Sequence, residues 1–374
     1  MRSSISQGLS ERAFYGVGSK MDVSGAAGGN AEGFANTASE PLLKVRNLAV
    51  RILLDATYIG ATRDIRPLKG VSFQVQRGEV VGLLGESGAG KTTLALALMR
   101  LLPSSSQVVQ GSIEFEGRPF LSLDERELRK IRGAGISLIY QDSAVLNPVL
   151  RVGDHLEEVL RAHHNWPRRR YREKAIALLE ELELRDVDRI HAAYPHQLSG
   201  GQRQRIVIAQ ALACQPTLVI ADEPTASLDP DTASEILELL GRLKRRFQIA
   251  FLLISHDLAP VARLADRIMV MYAGRIVEQG RRDQILQQPL HPYTRALLAC
   301  ALPQNMPGNT ASDSWIGKRP IPTIAGNPPD LMQAAPGCDF ESRCPDRMDI
   351  CSTRFPQEIQ ESAAHTVHCF KFGG

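Results

Sequence analysis

No apolar run in this chain of 374 residues approaches the roughly 18 to 20 residues needed to cross a bilayer. The longest apolar stretches, such as IAFLLI at 249 to 254, have the length of a buried strand. The chain is therefore not expected to span a membrane. A dominant charge is also missing. The 44 Lys+Arg stand against 41 Asp+Glu, a net of +3, which gives neither the basic field of a dedicated nucleic-acid binder nor a polybasic membrane signal. The first 40 residues lack the apolar core of a secretory signal and are rich in Gly, Ser and Ala, so they read as a flexible tail. Arg2, Arg12 and the serines would suit a mitochondrial transit peptide, but Glu11, Asp22 and Glu32 do not. Cytosol is the expected compartment.

A length of 374 residues exceeds what one core usually organises, so two or more folded units are expected. Alternating apolar residues from LLKVRNLAVRILL onward suggest an antiparallel β layer, followed by GEVVGLLG, a strand that runs into a glycine-rich turn. KTTLALALMRLL then reads as a helix with an apolar face at Leu94, Leu96, Leu98 and Leu101. GSIEFEG suggests a hairpin strand, RKIRGAGISLIYQD carries a strand to Gln141, and residues 145 to 197 read as mostly helical. TLVIADEP and QIAFLLISHD are continuously apolar in the manner of buried parallel strands. The class is α/β. From HPYTRALLACALP the composition becomes rich in Pro and Cys, which puts a boundary near residue 290.

GESGAGKT, Gly85 to Thr92, fits GxxxxGK[ST] between a strand and a helix. Gly85, Gly88 and Gly90 let the backbone turn its N–H groups inward, where with those of Glu86, Ser87 and Ala89 they form a cradle for phosphate oxygens at a helix N-terminus. Lys91 would reach the β and γ phosphates, the Thr92 hydroxyl would ligate Mg²⁺, and Thr93 would lie on the α-phosphate side. Such a loop needs an acidic partner. Asp222, at the end of LVIAD, would hold the metal through water, and Glu223 would polarise the attacking water. His256, closing LLISHD, is placed to touch the γ phosphate, although a lone histidine is more often structural.

LSGGQRQR at 198 to 205, lying upstream of LVIADEPTASLD, brings the resemblance into view: residues 41 to about 290 resemble the nucleotide-binding domain of ABC transporters. The resemblance assigns Walker A to Gly85–Thr93, the Q-loop glutamine, a Mg²⁺ contact, to Gln141, the signature to Leu198–Gln202, Walker B to Asp222 with Glu223, the D-loop to Ala226–Asp229 and the switch histidine to His256. It implies a P-loop NTPase (RecA-like) core with an antiparallel β subdomain and a helical signature subdomain. Ser199, Gly200, Gly201 and Gln202 would form a second oxyanion cluster that grips the γ phosphate of ATP bound to another subunit. A dimer of ATPase domains, identical or different, follows. The family stacks adenine on an aromatic residue where this chain has Ile52; Tyr58 is the nearby aromatic, either a stacking residue or a surface-loop tyrosine.

DSAVLNPVLRVGDHLEE after Gln141, and HPYTRALL at 291 to 298, resemble the oligopeptide, dipeptide and nickel uptake branch. That implies two membrane permeases, an extracytoplasmic solute-binding protein, and a peripheral position on the cytoplasmic face of the inner membrane. The rival reading is a soluble ABC ATPase acting on nucleic acid or ribosomes. Against it, the chain has neither a second ATPase domain nor a long coiled-coil insertion. Cys338, Cys344, Cys351 and Cys369 crowd the expected C-terminal extension, 291 to 374. Disulfides are not expected in a reducing cytosol. Five, six and seventeen intervening residues leave no CxxC knuckle for zinc, and the resemblance implies a [4Fe-4S] cluster; zinc and plain structural thiols are the alternatives. Cys214 and Cys300 read as buried core residues.

Overall fold

The computed structural model describes residues 40–54, 63–141, 145–301, 323–329, 336–362 and 364–373. Among the described residues two sheets form. The smaller is antiparallel, in the order Arg63–Val75, Leu43–Leu54, Ser106–Phe115, Arg118–Pro119. The larger runs Ile359–Ser362, His365–Val367, Arg275–Arg281, Arg267–Tyr272, Val80–Leu84, Ala250–Ser255, Leu218–Asp222, Ile136–Ile139. From Arg267–Tyr272 to Ile136–Ile139 its strands are parallel, and the remaining ones add antiparallel. The antiparallel layer ahead of a parallel one is as expected.

Why the parallel strands are continuously apolar is visible in their burial. Val80–Leu84, Leu218–Asp222 and Ala250–Ser255 are buried at every residue, because both faces are covered. Val81 and Leu83 join one core with Val45, Val71 and Phe115 of the antiparallel sheet. Val80 and Leu84 face a second core with Ile206, Ile236 and Leu253. The two-residue period of a strand thus divides one short segment between two cores.

Residues 145 to 197 are largely helical, with Val152–His163, Arg168–Glu181 and Val187–Ala192. Helix Pro230–Phe247 begins at an Asp229 cap that accepts from the Thr232 N–H at 3.0 Å. It ends in Lys244, Arg245 and Arg246, matching the helix dipole at both ends. The helix after the glycine turn, Lys91–Leu98, corrects an expectation: Leu94, Ala95, Ala97 and Leu98 are buried, whereas Leu101 lies past its end at 40% exposed. No helix among the described residues is long and apolar enough to cross a membrane.

Glu40–Gly374 form one compact unit. The change of composition near residue 290 is not a break in hydrogen bonding. Glu278 and Gln279 pair with Val367 and Thr366, so the chain end completes the main sheet. Buried Glu278 accepts from the Leu290 N–H at 2.8 Å and the His291 N–H at 2.9 Å, and its Oε1 lies 2.8 Å from His365 Nε2.

Candidate functional site

The glycine turn follows from two close approaches. A Cβ on Gly85 would lie 2.3 Å from the Met271 carbonyl oxygen, and one on Gly90, where φ is +103°, would lie 2.3 Å from the Pro67 carbonyl. The Gly274 N–H ties the turn to the sheet by donating to the Ala89 carbonyl at 2.9 Å. Lys91, 6% exposed, folds back so that Nζ donates to the carbonyls of Gly85 at 2.8 Å and Glu86 at 3.0 Å. Burial lowers its pKa, and Glu223, Asp222 and Glu86 partly offset this. The loop therefore holds a Lys91 side chain whose solvation has been replaced by carbonyls.

Asp222 closes its strand and is buried. Burial raises its pKa, while a hydrogen bond from the Thr92 hydroxyl and the charge of Lys91 lower it. Thr92 and Asp222 thus bring two hard oxygens together beside the loop, the donor type Mg²⁺ takes. Glu223 leaves the strand at φ 49°, and its N–H donates to the Ile254 carbonyl at 2.9 Å. A left-handed backbone at a residue with a side chain is a strained conformation. Its Oε2 lies 2.6 Å from His256 Nδ1 and accepts from Gln141 Nε2 at 3.4 Å. Gln141, Glu223 and His256 come from just beyond the C-terminal ends of three parallel strands, where open α/β sheets place their ligands.

Ser199 caps helix Gly200–Leu212: its Oγ accepts from the Gln202 N–H at 3.2 Å, and the Gln202 side chain accepts from the Ser199 N–H at 3.1 Å. A Cβ on Gly201 would stand 2.7 Å from Thr232 Cγ2, so that glycine is required for packing. The signature is a preformed helix N-terminus with its serine exposed. Gly88, at φ +81°, has open space at its Cβ position. Tyr58 lies outside the described residues.

Two side chains that sequence reading missed also reach the loop. The Tyr293 hydroxyl accepts from the Glu86 N–H, and Arg343 binds the Glu86 carboxylate. The one available signal was that Tyr293 lies in HPYTRALL and Arg343 directly before Cys344.

The cysteine expectations need correction. Among the described residues no group of three or more His, Cys, Asp or Glu side chains could hold a metal ion, so neither the [4Fe-4S] cluster nor zinc at Cys338, Cys344, Cys351 and Cys369 is supported. Burial pushes the Cys338 thiol up to about 12 and also raises Cys344 and Cys369. Cys351 is buried in the packing, and its carbonyl accepts from the Cys338 N–H at 2.8 Å. Cys300 is exposed rather than core. Cys214 is partly buried, its thiol pushed up to about 11 by burial.

A phosphate loop, an acidic pair at the end of the parallel strand two places away in the sheet and a separate signature helix define an ATP-binding cassette ATPase, with ATP and Mg²⁺ as the implied substrate and cofactor. The comparisons agree. A family profile described as "ABC transporter" matches residues 68–226, and one described as "Oligopeptide/dipeptide transporter, C-terminal region" matches 277–351. The chain is 41% identical over 333 residues to the dipeptide transport ATP-binding protein DppD of Bacillus subtilis, covering 88% of this chain and 95% of that one. It is 39% identical over 338 residues to the oligopeptide transport ATP-binding protein OppD of Escherichia coli, covering 90% and 95%. A solved dimeric, post-hydrolysis ATP-binding cassette, MJ0796, bound to ADP and Pi matches with a TM-score of 0.56 at 28% identity, over 64% of this chain and 98% of that one. The chain belongs to the oligopeptide/dipeptide family of ABC-transporter ATP-binding proteins.

Proposed function

We propose that this ATPase drives peptide uptake: it binds and hydrolyses ATP at a sandwich of two ATPase subunits and transmits the resulting motion to two membrane permeases, which receive peptide from an extracytoplasmic solute-binding protein. The observation that carries the substrate class is the 277–351 match to an oligopeptide/dipeptide transporter region, joined to peptide-transport relatives along most of the chain. The nucleic-acid alternative has no support among these relatives.

In this reading Lys91 exchanges its two carbonyl partners for the β and γ phosphate oxygens, with the loop amides supplying the rest of the cradle. Thr92 and Asp222 would hold Mg²⁺, which when bound neutralises phosphate charge. Glu223 takes the proton from the attacking water. His256 and Gln141 keep its carboxylate oriented, and His256 would contact the γ phosphate. Ser199, Gly200, Gly201 and Gln202 grip the γ phosphate of the opposite subunit's ATP, so hydrolysis removes a contact that only the triphosphate state makes. The domain division at residue 290, a homo- or heterodimeric pairing, and a peripheral place on the cytoplasmic membrane face belong to the same proposal.

The test is transport by proteoliposomes holding this subunit with its permeases and binding protein. Labelled peptide should accumulate with ATP inside, and the Glu223→Gln variant should abolish accumulation. Uptake that continues at the wild-type rate in that variant would refute the assignment.

A further inference from the structure

Glu86 is the second residue of the phosphate loop, and its N–H and its carboxylate are both held from outside that loop. Its N–H donates to the Tyr293 hydroxyl at 2.9 Å. Its two carboxylate oxygens accept from Arg343 Nη1 at 2.8 Å and Nη2 at 3.1 Å, the bidentate fork that gives an Arg–carboxylate pair both strength and direction. The Arg343 side chain is 4% exposed and that of Glu86 24%. The other guanidinium N–H groups are also engaged: Nε donates to the Ala325 carbonyl at 2.9 Å, Nη2 to the Ile324 carbonyl at 3.3 Å, and Nη1 to the Tyr272 hydroxyl at 3.1 Å.

The segment carrying Arg343 is anchored on the core by two more side chains. Phe340, 1% exposed, packs its ring 5.2 Å from that of Tyr272 and 5.4 Å from that of Tyr293. Buried Asp339 pairs with Lys69 at 2.6 Å and lies 3.5 Å from Arg275. Three residues within one short stretch therefore dock by an acid, a ring and a base, each with its complement on the core. The stretch has little freedom to place its guanidinium elsewhere.

A carboxylate in a loop that must receive several negative charges opposes its own ligand, and the opposition grows as solvent is excluded. We infer that Arg343 is a positioning residue for the phosphate loop, neutralising and fixing Glu86 so that the docked C-terminal segment sets the loop's affinity for nucleotide phosphates. The inference rests on the reading of Gly85–Thr93 as the ATP cradle. Coupling of this kind is reciprocal, so bound nucleotide strengthens the docking of the segment that carries Arg343.

The experiment uses the full chain, with MgATP as the probe, and reads Kd by calorimetry together with KM and kcat. Arg343→Gln should raise Kd and KM by about tenfold, with kcat at saturation within about twofold. Adding Glu86→Gln to that variant should restore the affinity, because the unpaired carboxylate is then gone. Arg343→Lys, which keeps the charge and loses the fork, should fall between wild type and Arg343→Gln, and it carries the test if the glutamine variant does not fold. A wild-type Kd in Arg343→Gln, or a deficit that Glu86→Gln leaves unrelieved, would overturn the inference. Lys91→Ala separates the two readings. If it binds MgATP as tightly as wild type, the cradle itself is misassigned. If it binds weakly while Arg343→Gln and Arg343→Lys are normal, only the role of Arg343 fails.

Discussion

His256 Nδ1 lies 2.6 Å from Glu223 Oε2, so the proposed switch histidine and the proposed general base are in direct hydrogen-bond contact. Glu223 should be the harder of the two to replace. Glu223→Gln is expected to lower steady-state ATP turnover by about a hundredfold or more, with MgATP binding retained. His256→Ala should leave a larger residual rate, because Gln141 still donates to the same carboxylate oxygen. Turnover that ranks the two variants the other way would show that the histidine, not the glutamate, carries the chemistry.

Thr92 lies close enough to Asp222 to hold its pKa down against burial, where the phosphate loop meets the acidic strand. Asp222→Asn keeps the shape and removes the charge. It should abolish ATPase activity at ordinary Mg²⁺ concentrations, and raised Mg²⁺ should recover part of it. Chelation with EDTA should silence the wild type completely and reversibly. Activity of Asp222→Asn that shows no Mg²⁺ dependence beyond the wild type's would remove Asp222 from the metal site.

Ser199 hydrogen-bonds Gln202 within its own helix start, whereas Lys91 serves the loop of the same chain. Binding and hydrolysis should therefore separate. Ser199→Arg should preserve MgATP binding by the isolated subunit within about threefold, and it should abolish nucleotide-dependent pairing and turnover. Loss of the cap itself costs about 1 kcal/mol, so the melting temperature should fall only slightly. The readout is sedimentation of the Glu223→Gln form with and without Ser199→Arg in MgATP. Equal dimer fractions would rule out the proposed grip in trans.

Much of this site was legible because its parts are local. The glycine spacing, the apolar strand before it and the helix after it occupy fewer than twenty consecutive positions, and each buried strand announces itself by composition. Gln141, Glu223 and His256 could be placed on strand ends, but their meeting at one carboxylate oxygen depends on strand order. Arg343 and Glu86 stand 257 positions apart, beyond any periodicity. The misjudged residues fail for related reasons. Leu101 continues the helical pattern after the helix has stopped. The iron-sulfur expectation came from the resemblance rather than from the cysteine spacing, and convergence on a metal requires side-chain directions that neither encodes.

His291 yields a pH prediction with a definite sign. It is buried, its Nδ1 accepts from the Tyr293 N–H at 3.0 Å, and burial pushes its pKa down to about 3 from the usual 6.5. The unfolded chain thus binds a proton at this position more readily than the folded one. Stability from the neutral ring is fully present above the unfolded pKa and is lost as pH falls from about 6.5 toward 3, by at most about 1.4 kcal/mol per pH unit. His291→Gln cannot titrate, so although less stable at pH 7.5 it should lose less between pH 7.5 and 5.5 than the wild type does. Urea unfolding of both proteins at the two pH values measures the difference. Because Tyr293 also holds the Glu86 amide, acid should loosen the phosphate loop together with this region. Parallel pH slopes for the two proteins would mean that His291 is not the group being protonated.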